Sequence, residues 1–168
     1  MISVHLNKKE LLDCERAAVL RSMLSRASGI KNQRRDKSRT DKEIDLTGIK
    51  GELAASKVYK AEFNPYDLGV DSGIDIMISD IGIDIKTTTY LTGKLLFKNI
   101  ESFKAPIAIL CLQKNEDTVI VAGWINKKDF QEKSEPFNGG MAVTQDKLNS
   151  PESLWLNLIN KEVSVKKG

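Results

Sequence analysis

The chain has 168 residues, 40% of them hydrophobic and 29% charged, with a net charge of +3, which suits one domain around a single core. No apolar run approaches the roughly 20 residues of a membrane-spanning helix, and the N-terminal MISVHLNKKELL lacks a basic stretch followed by an apolar signal core, so a cytoplasmic location with no membrane partner is expected (the host cytoplasm for a phage-encoded protein). Two isolated cysteines, Cys14 and Cys111, and one histidine, His5, support neither a zinc site of the usual spacing nor a Cys-His or Ser-His catalytic pair, which leaves carboxylates as the metal ligands available.

Residues 8 to 28 read as a helix capped by Asn7 and stopped by Gly29, with Leu11, Leu12, Ala18, Met23 and Leu24 in its apolar stripe. Between Arg26 and Lys42 seven basic residues (Arg26, Lys31, Arg34, Arg35, Lys37, Arg39 and Lys42) meet only Asp36 and Asp41, a local excess of five that leaves the remainder net acidic by two. Such a run is either a solvated arm or a contact for a polyanion. A second helix is expected from near Asp45 or Thr47 to about Lys60, burying Leu46, Ile49, Leu53, Ser56 and Val58. Glu52 lies one turn into it, where an exposed helix charge is the plain reading.

After Pro65-Tyr66 and a loop containing Asp71, two alternating runs follow, Ile74-Asp75-Ile76-Met77-Ile78 and Ile83-Asp84-Ile85-Lys86-Thr87, separated by Ser79, Asp80 and Gly82. Period-two alternation with β-branched residues predicts a hairpin. A reversal at Ser79-Asp80 sets Ile78 against Ile81, Met77 against Gly82 and Asp75 against Asp84, with Lys86 on the same face and Glu52 above. Opposed carboxylates sit about 4.5 to 5.5 Å apart at Cβ and destabilise a sheet unless neutralised. A magnesium ion, which takes oxygen ligands from one or two carboxylates and leaves room for water and phosphate, is the natural neutraliser. The same alternation also describes an ordinary amphipathic surface strand.

Leu95 to Phe103 reads as a short strand or helix ending before Pro106. The apolar run Ile107 to Leu112 suits a strand buried on both faces, with Cys111 in the core. Thr118 to Ile125 returns as another strand, and 126 to 149 read as mostly polar loop with short elements and a turn at Gly139-Gly140. Ser150-Pro151-Glu152 opens a final helix whose Leu154, Trp155, Leu158 and Ile159 pack on the sheet, before a frayed Lys166-Lys167-Gly168.

Taken in order, Glu52 on a helix, Asp75 on one strand and Asp84-Ile85-Lys86 on the next resemble the PD-(D/E)XK nuclease superfamily, chiefly its small phage or bacterial members, through the phrases GIKGELAASKVY, SGIDIMIS and IDIKTTTY. The similar order covers about residues 46 to 125, and no proline immediately precedes Asp75, a position that varies in the family. The motif is short, and its context is what supports it. The resemblance implies an α/β fold with a restriction-endonuclease-like core, a mixed central sheet of about four strands flanked by helices. The whole chain, 1 to 168, would be one nuclease domain, with an N-terminal helix and basic segment at about 8 to 42 and a core at about 45 to 165.

It also implies a catalytic set of Glu52, Asp75, Asp84 and Lys86. Asp75, Asp84 and the Ile85 carbonyl would hold one Mg2+ or Mn2+ ion, with Glu52 joining directly or through water, and Lys86 would orient or deprotonate the attacking water. A plain salt bridge to Asp84 or Asp75 is the rival reading of Lys86. DNA is the expected partner, gripped through Lys31, Arg34, Arg35, Lys37 and Arg39, with Thr87 or Thr88 touching a phosphate. The implied activity is metal-dependent hydrolysis of DNA phosphodiester bonds. The alternatives are a junction resolvase of the same fold, working as a homodimer, and a non-catalytic DNA-binding or decoy protein.

Overall fold

The structure is a computed structural model that describes residues 1–29, 38–67 and 72–166, with side chains in the last helix described as far as Leu158. The elements in chain order are β1 (Ile2–His5), α1 (Lys8–Ala27), α2 (Asp41–Tyr59), β2 (Ile76–Ile78), β3 (Ile81–Thr88), β4 (Leu95–Phe97), β5 (Ile107–Gln113), β6 (Thr118–Asn126), α3 (Lys127–Lys133), β7 (Glu135–Phe137), β8 (Gly140–Val143) and α4 (Pro151–Lys166). The protein is α/β. Its main sheet has five strands in the order β1-β6-β5-β3-β2, rather than about four, and β4-β8-β7 form a second sheet of three. Only β3 and β5 run parallel within the main sheet, a pairing that requires a crossover between them.

The continuous apolar run of β5 is buried on both faces, as its composition predicts. Ile107, Ile109 and Cys111 join Ile83 and Ile85 of β3, Ala54, Ala55 and Tyr59 of α2, and Leu154 and Leu158 of α4 in one core. Ala108, Leu110 and Leu112 face a second core with Phe97 of β4, Phe103 and Phe130 of α3. There Phe97 stacks on Phe103 at 4.4 Å between centroids, and Phe130 meets both edge-on at 5.2 and 5.4 Å, arrangements that suit the ring quadrupoles. The sheet is thus sandwiched between helices and a smaller aromatic-lined layer.

The helix starts follow local chemistry. Asn7 and Thr40 each accept a hydrogen bond from the backbone three residues on, and their own backbone N–H groups donate to the carboxylates of Glu10 and Glu43, so both α1 and α2 open on complete capping boxes. The Thr40 box starts α2 at Asp41, earlier than the apolar periodicity predicts. The expected stripe of α1 is corrected: Leu12 is 44% and Met23 60% exposed, and Leu24 is exposed too. The buried face is Cys14, Ala17, Ala18 and Ser22, packed on Ile49, because small residues let α1 lie close along α2 where leucines would hold it off.

Two further findings concern segments outside these two helices. The N-terminal residues Ile2–His5 form an edge strand against β6. The short elements expected within residues 126 to 149 are α3 and the β7-β8 hairpin, which turns at Asn138-Gly139. The Asp71, Lys167 and Gly168 positions, and the side chain of Ile159, lie outside what the structure describes.

Close approach of α2 to the sheet depends on Gly51. A Cβ at that position would lie 1.8 Å from Thr87 Oγ1 and 2.9 Å from Thr87 Cβ, contacts that no rotamer change of Gly51 itself would relieve. Gly51→Ala is therefore expected to destabilise the protein by about 1 to 3 kcal/mol despite alanine's better helix propensity. Thermal unfolding should show a lower midpoint, partly restored when Thr87→Ala is combined with it.

Candidate functional site

The site is built where β2 stops and β3 continues. The turn residues Ser79 and Asp80 both have positive φ, 45° and 62°, the conformation that joins antiparallel strands through two residues. The observed pairs are Ile76↔Ile83, Met77↔Gly82 and Ile78↔Ile81, the register predicted from alternation, with no bulge at Gly82. β3 is paired with β5 from Ile83 to Thr88, whereas β2 covers its other edge only from Ile81 to Ile83.

Asp75 stands at that boundary, one residue before β2 rather than inside it. Its backbone N–H still donates to the Ile83 carbonyl at 2.8 Å, and its side chain then takes over from the backbone: Asp75 Oδ2 accepts the Ile85 N–H at 2.6 Å. In a strand the N–H and C=O of one residue point to the same edge. The Ile85 carbonyl consequently faces the same bare edge as the Asp75 carboxylate.

Alternation places Asp84 and Lys86 on the face of β3 opposite Ile83 and Ile85. Asp84 is only 2% exposed, and its Oδ1 lies 2.6 Å from Lys86 Nζ, which also sits 5.0 Å from the centroid of Phe97. The salt bridge expected as the plain reading of Lys86 is thus present, with Asp84 as its partner. Half of the lysine side chain stays open to solvent, so the ammonium borders both the buried acid and the surface.

Glu52 approaches from the other side. Its helix packs on the face of Ile83 and Ile85, so Asp84 and Lys86 do not lie beneath it as predicted. Instead Glu52 reaches the edge from the opposite face, and Asp75 between them feels both charges. Although 7% exposed, Glu52 is not a solvated helix charge: Arg21 of α1 donates from Nη1 to Oε1 at 3.1 Å and from Nη2 to Oε2 at 2.9 Å. Sequence reasoning missed Arg21, which sits 31 positions away and carries no local motif.

The electrostatics follow from this crowding. Desolvation, then the charge of Glu52 and that of Asp84, push the Asp75 carboxyl up to about 7, against the Ile85 N–H and the charge of Lys86. Burial raises the Asp45 carboxyl also, with Asp41 and Glu52 adding to it and Arg21 opposing. Burial would lower the Arg21 pKa, but the hydrogen bonds and charge of Glu52, helped by Asp45 and Asp75, raise it overall.

Among the described residues no three His, Cys, Asp or Glu side chains form a ready-made metal cluster. The donors near this junction are the Asp75 carboxylate and the Ile85 carbonyl at the edge, with the Asp84 carboxylate close enough on the adjoining face for its charge to act on Asp75; all are hard oxygens. That set fits a small divalent ion such as Mg2+, which takes one or two carboxylates and keeps several waters.

The other expected contacts are less accessible. Thr87 Oγ1 is buried against Gly51, so it is not turned toward a phosphate. Thr88 Oγ1 accepts the Tyr90 N–H at 3.2 Å and supports the next turn. Arg39 donates to the Glu43 carbonyl and to Thr47 Oγ1 at 2.9 and 2.6 Å, bracing the start of α2. Lys31, Arg34, Arg35 and Lys37 lie outside the described residues.

No protein-family model matches the chain, and no match is found among curated proteins. No described helix is long and apolar enough to cross a membrane.

The raised Asp75 carboxyl has a definite sign. A carboxyl whose folded pKa lies above its unfolded value binds more protons folded than unfolded, so it favours the fold at low pH and disfavours it as pH rises through about 7. Asp75→Asn keeps an acceptor for the Ile85 N–H and removes the charge. With chelator present, this variant should melt higher than the parent at pH 8, and the two should converge towards pH 5.

Proposed function

We propose that the protein is a metal-dependent endonuclease that hydrolyses DNA phosphodiester bonds at the bare edge of β3, with a restriction-endonuclease-like core. The observation that carries this reading is the junction of β2 and β3. There Asp75 and the Ile85 carbonyl share an edge that β2 leaves uncovered among the described residues, Asp84 acts on Asp75 from the adjoining face, and Lys86 lies 2.6 Å from Asp84 at the border with solvent. Asp84 is almost completely buried, not solvated as on an ordinary amphipathic hairpin, and a buried charge is costly unless it is paired or ligates a metal, so Lys86 supplies one partner and an ion would supply a second.

Asp75, Asp84 and the Ile85 carbonyl would hold Mg2+ or Mn2+. The ion, when bound, would lower the pKa of a bound water and stabilise charge on the phosphoryl oxygens. Asp84 keeps the ammonium of Lys86 within reach of the edge. Lys86 in turn would orient the attacking water, accept its proton when uncharged, or offset charge on the scissile phosphate. The aromatic ring of Phe97 under the ammonium limits where that group can move. The basic run from Arg26 to Lys42 supplies the charge for backbone contact, which positions DNA without reading its sequence.

Cleavage of supercoiled plasmid should require Mg2+ or Mn2+ and stop with chelator. Asp84→Asn should abolish it, and Lys86→Ala should slow it by about 10² to 10⁴, the usual worth of a positioned proton-transfer group. Both variants are checked for folding by thermal melting. Full cleavage by a folded Asp84→Asn protein would rule out this site, and salt-sensitive DNA binding without cleavage would favour a binding protein.

A further inference from the structure

The Arg21–Glu52 pair is the strongest polar contact at the edge that the catalytic reading does not use. Both carboxylate oxygens of Glu52 are engaged by one guanidinium, in the two-pronged geometry that Arg makes with carboxylates. The pair is largely removed from water, with side-chain exposures of 26% for Arg21 and 9% for Glu52. It joins α1 to α2, and the positive charge of Arg21 acts on Asp75 at the edge as well as on Asp45 elsewhere on α2.

We propose that Arg21 is the resident counter-ion of this edge and competes with the divalent metal for Glu52, a proposal that rests on the metal-site reading given above. Two physical reasons lead to it. An inner-sphere bond from Glu52 to a metal would have to displace at least one of the two guanidinium hydrogen bonds. A fixed positive charge beside the carboxylates also lowers their joint attraction for a divalent cation, an effect that strengthens as the site loses water. Glu52 would thus be held out of the metal's coordination until the ion, or the ion with a phosphate drawing Arg21 away, offers more than the guanidinium does. Arg21 is a positioning residue in this scheme, acting through Glu52.

The competition predicts a direction opposite to that of a merely supporting residue. Removing a group that only props up Glu52 would weaken metal binding, whereas removing a competitor strengthens it. Mn2+ binding is measured by titration calorimetry on the full chain for the parent, Arg21→Gln, Arg21→Lys, Glu52→Gln and the Arg21→Gln/Glu52→Gln double variant, with Asp84→Asn alongside. Arg21→Gln should bind Mn2+ about five- to tenfold more tightly, a coupling of the size seen for neighbouring groups in one network. Arg21→Lys, which keeps the charge and loses the fork, should fall between.

In the Glu52→Gln background the Arg21 substitution should lose most of its effect. A second readout guards against poor folding: Arg21→Gln leaves a buried carboxylate unpaired, so its melting point should be lower with chelator and should rise more on adding Mn2+ than that of the parent.

Unchanged or weaker Mn2+ binding by folded Arg21→Gln overturns the competition, as does an equal gain in the Glu52→Gln background. Should neither the parent nor Arg21→Gln bind Mn2+, both this inference and the metal site fail. Binding that appears only in Arg21→Gln supports the competition in its strongest form. Tighter, Glu52-dependent binding that Asp84→Asn leaves untouched supports the Arg21 role while removing Asp84 from the metal site.

Discussion

The unequal coverage of the two edges of β3 shapes everything around it. On one edge β5 pairs in parallel along six residues, and on the other β2 supplies only three partners. Backbone groups left bare in this way must find other partners or water. Here the side chain of Asp75 takes the N–H of Ile85, which both ends the β2-β3 ladder and brings a carboxylate within reach of Asp84 and Lys86. A longer β2 would have closed the edge with peptide groups and left no place for that carboxylate.

The negative charge gathered there is balanced twice, from opposite faces of the sheet. Lys86 meets Asp84 on the aromatic side, and Arg21 meets Glu52 on the helical side. Neither cation is buried as deeply as its acid, so each can move outward while the carboxylate stays in place. Asp75, in the middle, receives a backbone N–H and, among the described residues, no direct cation, and burial followed by the charge of Glu52 raises its carboxyl. The charge gathered here opposes folding, and under the function proposed above it is what a divalent ion would neutralise.

Small residues set the distances that make the arrangement possible. Gly51 lets α2 approach Thr87 closely, and Cys14, Ala17 and Ala18 let α1 lie against Ile49 of α2. Together these contacts bring Arg21 to Glu52 and Glu52 to the edge of the sheet. The leucines and Met23 on the outer side of α1 are left exposed, because a larger side chain on the inner side would have pushed the two helices apart.

What was legible in the chain is what local physics decides. Two-residue alternation and turn chemistry set the register of the hairpin at Ser79-Asp80, the continuous apolar run marked β5 as doubly buried, and Asn7 began α1. Glu52, Asp75, Asp84 and Lys86 could be picked out because residue type and spacing along the chain carry the signal. Tertiary structure alone decided that α1 buries its small residues, that the short elements of 126 to 149 are a helix and a hairpin joining β4 in a second sheet, and that Glu52 meets the edge from the face opposite Asp84. It also decided the partner of Glu52. A guanidinium 31 residues away leaves no pattern in the sequence, since its contact is set by how closely two helices pack and not by anything adjacent to it in the chain.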